Sequence, residues 1–326
     1  MHGSVGVVLG GQMGPSKIPS HAHLAEDLGF QEVWLSEDLW FTGGIAGASA
    51  ALASTRSIPV GVGVVSAVLR NPSILAIEIS TLAHIYPRRF LPGIGLGFPP
   101  WLEQLRMQPR SNLSAVREGV TAVRRLLAGD ALDVDGKTFS FRNVRLHFPP
   151  PERVPLYLGA LAPRMLQLGG EIADGTVTSL VSSVEYVRWA KEHIAHGQRK
   201  AGRSDRHRLV VYALFSVDQD RATARNAVVP LLSWFLAALG RNPLTEAYGI
   251  ADELVAMAEG GAERVAREMP ERWANDLAVV GTPADCIAQL ERLFDAGADC
   301  VCLLPLPADR SDAVLRRAGA EVVSRL

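Results

Sequence analysis

Residues 58–97 read IPVGVGVVSAVLRNPSILAIEISTLAHIYPRRFLPGIGLG, and the order of elements in this stretch decides the fold. Its opening run, Ile58–Val65, is β-branched and of strand length, with Pro59 near one end and the stop Arg70-Asn71-Pro72 beyond the other. Asn71 is placed to cap a helix that Pro72 opens, because the N–H that proline lacks has no partner in a first helical turn anyway. A second apolar run, Phe90–Leu96, closes the stretch. Strand, helix, strand in that order is one unit of a parallel sheet.

The same alternation extends in both directions. Strands are expected at Val5–Leu9, Glu32–Ser36, Leu156–Ala160, Gly175–Ser179, Leu209–Val217 and Cys300–Leu304, making eight with the two above. Helices fit Pro19–Leu28, ending at Gly29, and Leu113–Leu127, ending at Gly129, since glycine accepts the left-handed turn after a helix. Eight such units predict an α/β fold, a TIM (β/α)8 barrel with insertions. A chain of 326 residues fits a single barrel domain, 1–326. Alternating residues around Asp135-Gly136 predict a β-hairpin insertion at about 130–150. A helical stretch broken by Gly240, Gly249, Gly260 and Gly261, at about 221–275, is too long for one crossover and should cover the barrel mouth.

Thirty-three basic against thirty-four acidic side chains leave a charge of −1, which excludes the basic footprint of a nucleic-acid or anionic-membrane binder. Cys286, Cys300 and Cys302 cannot build a disulfide framework and read as packed thiols in a reducing compartment. The opening residues, MHGSVGVVLGG, have no basic leader or long apolar region, and no run approaches a membrane span, so a cytoplasmic location is expected. The eight histidines form no ligand set and no Gly-x-Ser-x-Gly elbow occurs, so neither a metal site nor a serine hydrolase is expected. His193 and His196 read as solvated helix residues.

Barrel enzymes build their sites from the loops after the strands. The loop after the second strand holds Glu37 and Asp38 beside Trp40 and Phe41: an ionisable group against flat rings, or solvated loop acids and helix caps. Gly61 and Gly63 interrupt a β-branched strand, which marks either close approach to the backbone or small-residue packing, and the Gly63–Val64 peptide is expected to be cis or bulged. Gly93, Gly95 and Gly97 leave a strand end bare of side chains. Their spacing is not that of a dinucleotide loop, and a proline-rich loop containing Trp101 is expected to follow. Gly159, Ala160, Leu161 and Ala162 run into a helix opened by Pro163, which is either an anion site with Arg164 nearby or a plain strand-to-helix turn. Thr178 and Ser179 offer hydroxyls on the same rim.

In this order, VWLSEDLWF, VGVGVVSAVLRNPSILA, FLPGIGLG, VPLYLGALAPRMLQLGGEIADG and VGTPADCIAQLERLFDAGAD resemble the luciferase-like monooxygenase superfamily over nearly the whole chain. The likeness is nearer to its branch dependent on coenzyme F420, which includes methylenetetrahydromethanopterin reductase and a glucose-6-phosphate dehydrogenase. The resemblance implies a cofactor held by Glu37, Gly63, Val64, Gly95, Gly97, Gly159 to Pro163, Thr178 and Ser179. It places Asp38 as proton donor beside Glu37, and Trp40, Phe41 and Trp101 as a substrate wall. Asp38 stands where the sugar-phosphate dehydrogenases carry histidine, so a sugar phosphate is not implied. The implied activity is hydride transfer between F420 and a small C=C, C=N or carbonyl/alcohol substrate. FMN in a two-component monooxygenase served by a partner reductase is the alternative, and a non-catalytic flavin-binding protein the third. Dimers are common among the relatives.

Overall fold

The computed structural model describes residues 3–326. Its strands are β1 Ser4–Leu9, β2 Glu32–Leu35, β3 Val60–Ser66, β4 Phe90–Gly95, β5 Leu132–Asp135, β6 Ser140–Val144, β7 Tyr157–Gly159, β8 Gly175–Thr178, β9 Arg208–Val217, β10 Ala278–Gly281 and β11 Cys300–Pro305. The first helices are α1 Ile18–Asp27, α2 Gly44–Ala53, α3 Pro72–Ile85, α4 Pro99–Gln104, α5 Asn112–Leu127, α6 Pro163–Ile172 and α7 Val184–Lys200. The rest are α8 Arg221–Leu239, α9 Pro243–Ala247, α10 Ala251–Ala258, α11 Gly261–Glu268, α12 Glu271–Leu277, α13 Pro283–Ala296 and α14 Ser311–Glu321.

Eight parallel strands close on themselves in the order β9, β11, β1, β2, β3, β4, β7, β8 and back to β9. This is the TIM barrel expected from the sequence, with strand ends shifted by one or two residues. The order is set locally. Asn71 caps α3, accepting from Ser73 N–H at 3.0 Å, and Pro72 fills its first position. Gly29 and Gly297 take φ of 83° and 110° after α1 and α13, where a Cβ would be strained.

The lumen is packed with side chains. Glu32 accepts from the Trp34 indole at 2.8 Å and pairs with Arg208, which donates to the Tyr157 hydroxyl at 2.8 Å. These large groups fit because the strand across from each is glycine. A Cβ on Gly61 would lie 2.4 Å from the Trp34 ring, and one on Gly175 would lie 2.5 Å from that of Tyr157. Cys300 and Cys302 also point inward, their sulfurs 3.5 Å apart, and both thiols are free and buried.

Two features depart from the sequence reading. A ninth strand, β10, pairs in parallel with the end of β9, Ala278 opposite Leu214 and Gly281 opposite Val217, just above the part of β9 that β8 occupies. The proline-rich stretch expected to be a loop is helix α4: Pro99 and Pro100 sit in its first turn, where proline preorganises φ at no hydrogen-bond cost.

Helices α8 to α12 join β9 to β10. Their buried face, including Ala224, Val228, Leu232, Leu236, Leu254 and Trp273, packs with Val181, Leu214, Val280 and Leu306, residues at or beyond the C-terminal ends of the strands. The insertion thus walls one side of the barrel mouth. Its first helix, Arg221–Leu239, has a mean hydropathy of 1.3 and is long and apolar enough to cross a membrane by length and composition, which qualifies the reading that no run approaches a span. Here one face of it lies on the barrel.

Candidate active site

The β2–α2 and β3–α3 loops form an open cleft of about 430 Å³ lined by Glu37, Asp38, Leu39, Trp40, Phe41, Thr42, Gly43, Leu69 and Arg70. Both carboxylates are held, and differently. Glu37, its side chain 4% exposed, receives both guanidinium nitrogens of Arg70 at 2.6 Å and the Gly44 N–H at 3.0 Å. It is neutralised and pins the start of α2. Arg70 also lies 3.6 Å from Glu78. Burial pushes the Glu78 carboxyl above the ordinary range, partly offset by Arg70 and reinforced by Glu37.

Asp38 has no cation partner. Its Oδ2 accepts from the Ser36 hydroxyl at 2.7 Å and lies 3.5 Å from where a Cβ on Gly11 would stand, over the tops of β1 and β2. Burial raises its pKa; the Ser36 hydrogen bond opposes this and the charge of Glu37 adds to it. A carboxyl in that setting can hold a proton closer to neutral pH than a free aspartate and pass it on.

Trp40 and Phe41 stand 65% and 55% exposed over the cleft. The Trp40 indole donates to Gln104 Oε1 at 3.1 Å, which ties this loop to α4. Trp101 does not line the cleft; it packs edge-on against Phe98, ring centres 5.2 Å apart.

Beside the cleft the top of β3 is irregular. The Gly63–Val64 peptide is cis, and the β3–β4 register slips between Val62 and Val65, as the interrupted strand predicted. Val64 covers the glycine ends of the neighbouring strands: Cβ atoms on Gly95 and Gly159 would stand 2.6 and 2.9 Å from its methyls. Gly97, at φ 92°, sits beside Ser66. At the adjoining rim Ala162 precedes α6 without a side-chain cap and Pro163 opens it, while the Tyr186 hydroxyl donates to Leu161 O at 2.9 Å and Ala160 N–H to Val177 O at 3.2 Å. Thr178 alternates outward from Val177; its hydroxyl is buried and accepts from Ser182 at 3.2 Å, and the Ser179 carbonyl accepts from the same hydroxyl at 2.7 Å.

The structure adds residues that the sequence reading did not single out. Arg70, 33 positions from Glu37, neutralises it; Ser36 fixes Asp38; the hydroxyls of Thr42 and Tyr212 are buried without a partner. Inward alternation along β9, Arg208, Val210, Tyr212, was the available signal for Tyr212. His207, its pKa lowered to about 4 by burial and then by Arg203, lies next to Arg208, the first residue of β9, and meets Thr176 at 2.8 Å. Among the described residues no group of three or more His, Cys, Asp or Glu is placed to hold a metal ion.

A strand bulge, a half-buried carboxyl without a cation partner and exposed rings at the mouth of a closed (β/α)8 barrel accord with an oxidoreductase of the luciferase-like class. The family model of the luciferase-like monooxygenases matches residues 3–300, and the chain belongs to that family. It is 30% identical to the 5,10-methylenetetrahydromethanopterin reductase of Archaeoglobus fulgidus over 94% of both chains. It is 26% identical to an F420-dependent glucose-6-phosphate dehydrogenase of Microbacterium testaceum, covering 97% of this chain and 94% of that one. Among solved structures, the coenzyme F420 dependent tetrahydromethanopterin reductase of Methanopyrus kandleri superposes with a TM-score of 0.87 at 23% identity, over 100% of this chain and 99% of that one.

Proposed function

We propose that this chain binds coenzyme F420 on the floor formed by Gly63, Val64, Gly95 and Gly159 and catalyses hydride exchange between it and a small organic molecule seated in the adjoining cleft. The observation that carries this reading is the Asp38 carboxyl, half-buried, without a cation partner and held by Ser36 at the edge of that cleft. Relatives that use F420 over the full length support the cofactor. The residues fit such a group. A flat ring can rest on the Val64 bulge, which the glycines at 95 and 159 allow to seat against the neighbouring strand ends, and an anionic tail is suited by the uncapped start of α6 at Ala162–Pro163. When bound, the deazaflavin supplies the hydride and the two-electron chemistry.

The chain's residues do the rest. Glu37 and Arg70 clamp the β2–α2 loop so that the cleft keeps its shape. Trp40 and Phe41 cover the substrate, a molecule with a C=C, C=N or carbonyl/alcohol function. Asp38 holds the proton that a reduced product takes up and recovers it from solvent through Ser36. The wall of α8 to α12 excludes water from one side. The free, buried thiols accord with a reducing cytoplasm. The exposed stripe Ile74, Ile77 and Ile85 on α3 is where a second copy packs, making a homodimer.

The test is a tryptophan-fluorescence titration with F420 and with FMN, followed by single-turnover mixing with candidate acceptors. Low-micromolar F420 binding with hydride transfer is the expected result. Tighter binding of FMN with oxygen consumption, electrons coming from a partner reductase, would replace this reading by the monooxygenase. Binding without turnover on any acceptor or oxygen would leave a flavin-binding protein.

A further inference from the structure

Tyr212 is a large lumen side chain that reaches from one wall of the barrel to the other. It leaves β9, and β9 stands four strands from β3 in the closed eight-strand order, directly opposite. Its ring packs edge-on to Trp34 at 6.2 Å, and its hydroxyl ends against β3, where a Cβ on Gly63 would lie only 2.1 Å from the oxygen. The residue is 5% exposed and its hydroxyl has no hydrogen-bond partner. Such a group is costly: a buried hydroxyl deprived of water gives up hydrogen bonds worth more than its packing returns. Phenylalanine would fill the same space without that cost.

The direction of the hydroxyl gives it a use. Gly63 precedes Val64, whose methyls meet Gly95 and Gly159, so the oxygen lies beside the bulge at the top of β3. The missing Cβ at Gly63 makes the room into which the hydroxyl points. Burial, with the Cys302 and Cys300 thiols, Asp38 and Glu32 adding, holds the phenol well above its ordinary pKa, so it stays a donor.

We propose that Tyr212 is a positioning residue for the ligand of the barrel mouth, its hydroxyl donating past Gly63 to an acceptor atom, a carbonyl oxygen or ring nitrogen, on the edge of the bound planar heterocycle. The inference rests on the function proposed above and assigns a donor to its cofactor site. A single donor meeting one edge of the heterocycle would fix its rotation at the mouth.

The experiment is Tyr212→Phe in the full chain, read three ways: the thermal midpoint of the cofactor-free protein, the Kd for F420 and for FMN by fluorescence quenching, and the absorption band of the bound cofactor. The cofactor-free midpoint should stay level or rise, because a partnerless hydroxyl is removed. The Kd of the cofactor that the parent binds should weaken by about 2- to 10-fold, the worth of one neutral hydrogen bond. The bound absorption band should shift relative to the parent, which a purely structural role would not cause. Unchanged Kd and band overturn the inference while leaving the proposed function intact. A midpoint several degrees lower also overturns it, since the hydroxyl then has a partner within the protein. A parent protein that binds neither cofactor refutes the proposed function and takes this inference with it.

Discussion

The Glu37–Arg70 pair invites a double-mutant cycle. Removing Arg70, as in Arg70→Met, leaves a carboxylate whose side chain is 4% exposed with only the Gly44 N–H, and leaves Glu78 without its cation. Breaking a buried pair from one side costs roughly 3–5 kcal/mol. Arg70 is itself 25% exposed, so water reaches the vacated end and roughly 2–3 kcal/mol is the better expectation. At roughly 2 °C per kcal/mol for a chain of this size, the thermal midpoint should fall by about 4–6 °C. Glu37→Gln keeps an acceptor for Gly44 and leaves Arg70 facing Glu78, so it should cost less, about 1–2 kcal/mol. With both changes, no uncompensated charge remains between positions 37 and 70, and the double variant should be more stable than the sum of the singles predicts by roughly 1–2 kcal/mol. Calorimetry of the four proteins gives the cycle. An Arg70→Met midpoint within a degree of the parent, or single shifts that simply add, would show that the pair is a solvated contact and not the clamp of the cleft.

Asp38→Asn should lower single-turnover hydride transfer by ~10²–10⁴ while cofactor affinity stays within a few-fold, and an unchanged rate removes Asp38 from the chemistry. The same variant has a pH signature. A carboxyl whose pKa is raised on folding stabilises the protein below the ordinary aspartate value and loses that contribution as pH rises through the folded value. Asp38→Asn should therefore be the more stable protein near neutral pH, with the gain vanishing below about pH 4. Trp40→Ala and Phe41→Ala should leave stability within about 0.5 kcal/mol, since both rings are exposed, and should raise KM for substrate with little effect on cofactor Kd; equal losses in both would move these rings into the cofactor site. Ellman's reagent should find no reactive thiol in the native protein and three in denaturant, because burial pushes Cys286 up to about 12 and Cys302 well above its ordinary value, and Cys300 is fully buried.

What the sequence disclosed and what it withheld separate along a physical line. Asn71-Pro72, Gly29 and the β-branched runs are local signals, each needing only its neighbours, and they led to the barrel. The four residues of β10, AVVG, follow a helix directly and have no period of their own; they become a strand only because the end of β9 offers an unpaired edge. Pro99-Pro100 opens a helix as readily as it prolongs a loop, and the donor Trp40 sends to Gln104 crosses 64 residues. Glu37 and Asp38 were legible as a pair of acids after a strand. That one is neutralised and the other isolated follows from Arg70 and Ser36, and no spacing in the sequence announces the Arg70 contact.

The way β10 is stitched into the sheet bears on traffic through the mouth. Helices α8 to α12 leave from β9 and return into a strand laddered onto that same β9 along four residues, so both ends of the wall are fastened to the barrel. A flap that opens needs a free end or a pair of hinges, and swinging this segment outward would mean unzipping parallel backbone hydrogen bonds. The open side of the mouth is the far one, over the β2–α2 loop, where Trp40 and Phe41 stand in water and one indole-to-glutamine contact reaches α4.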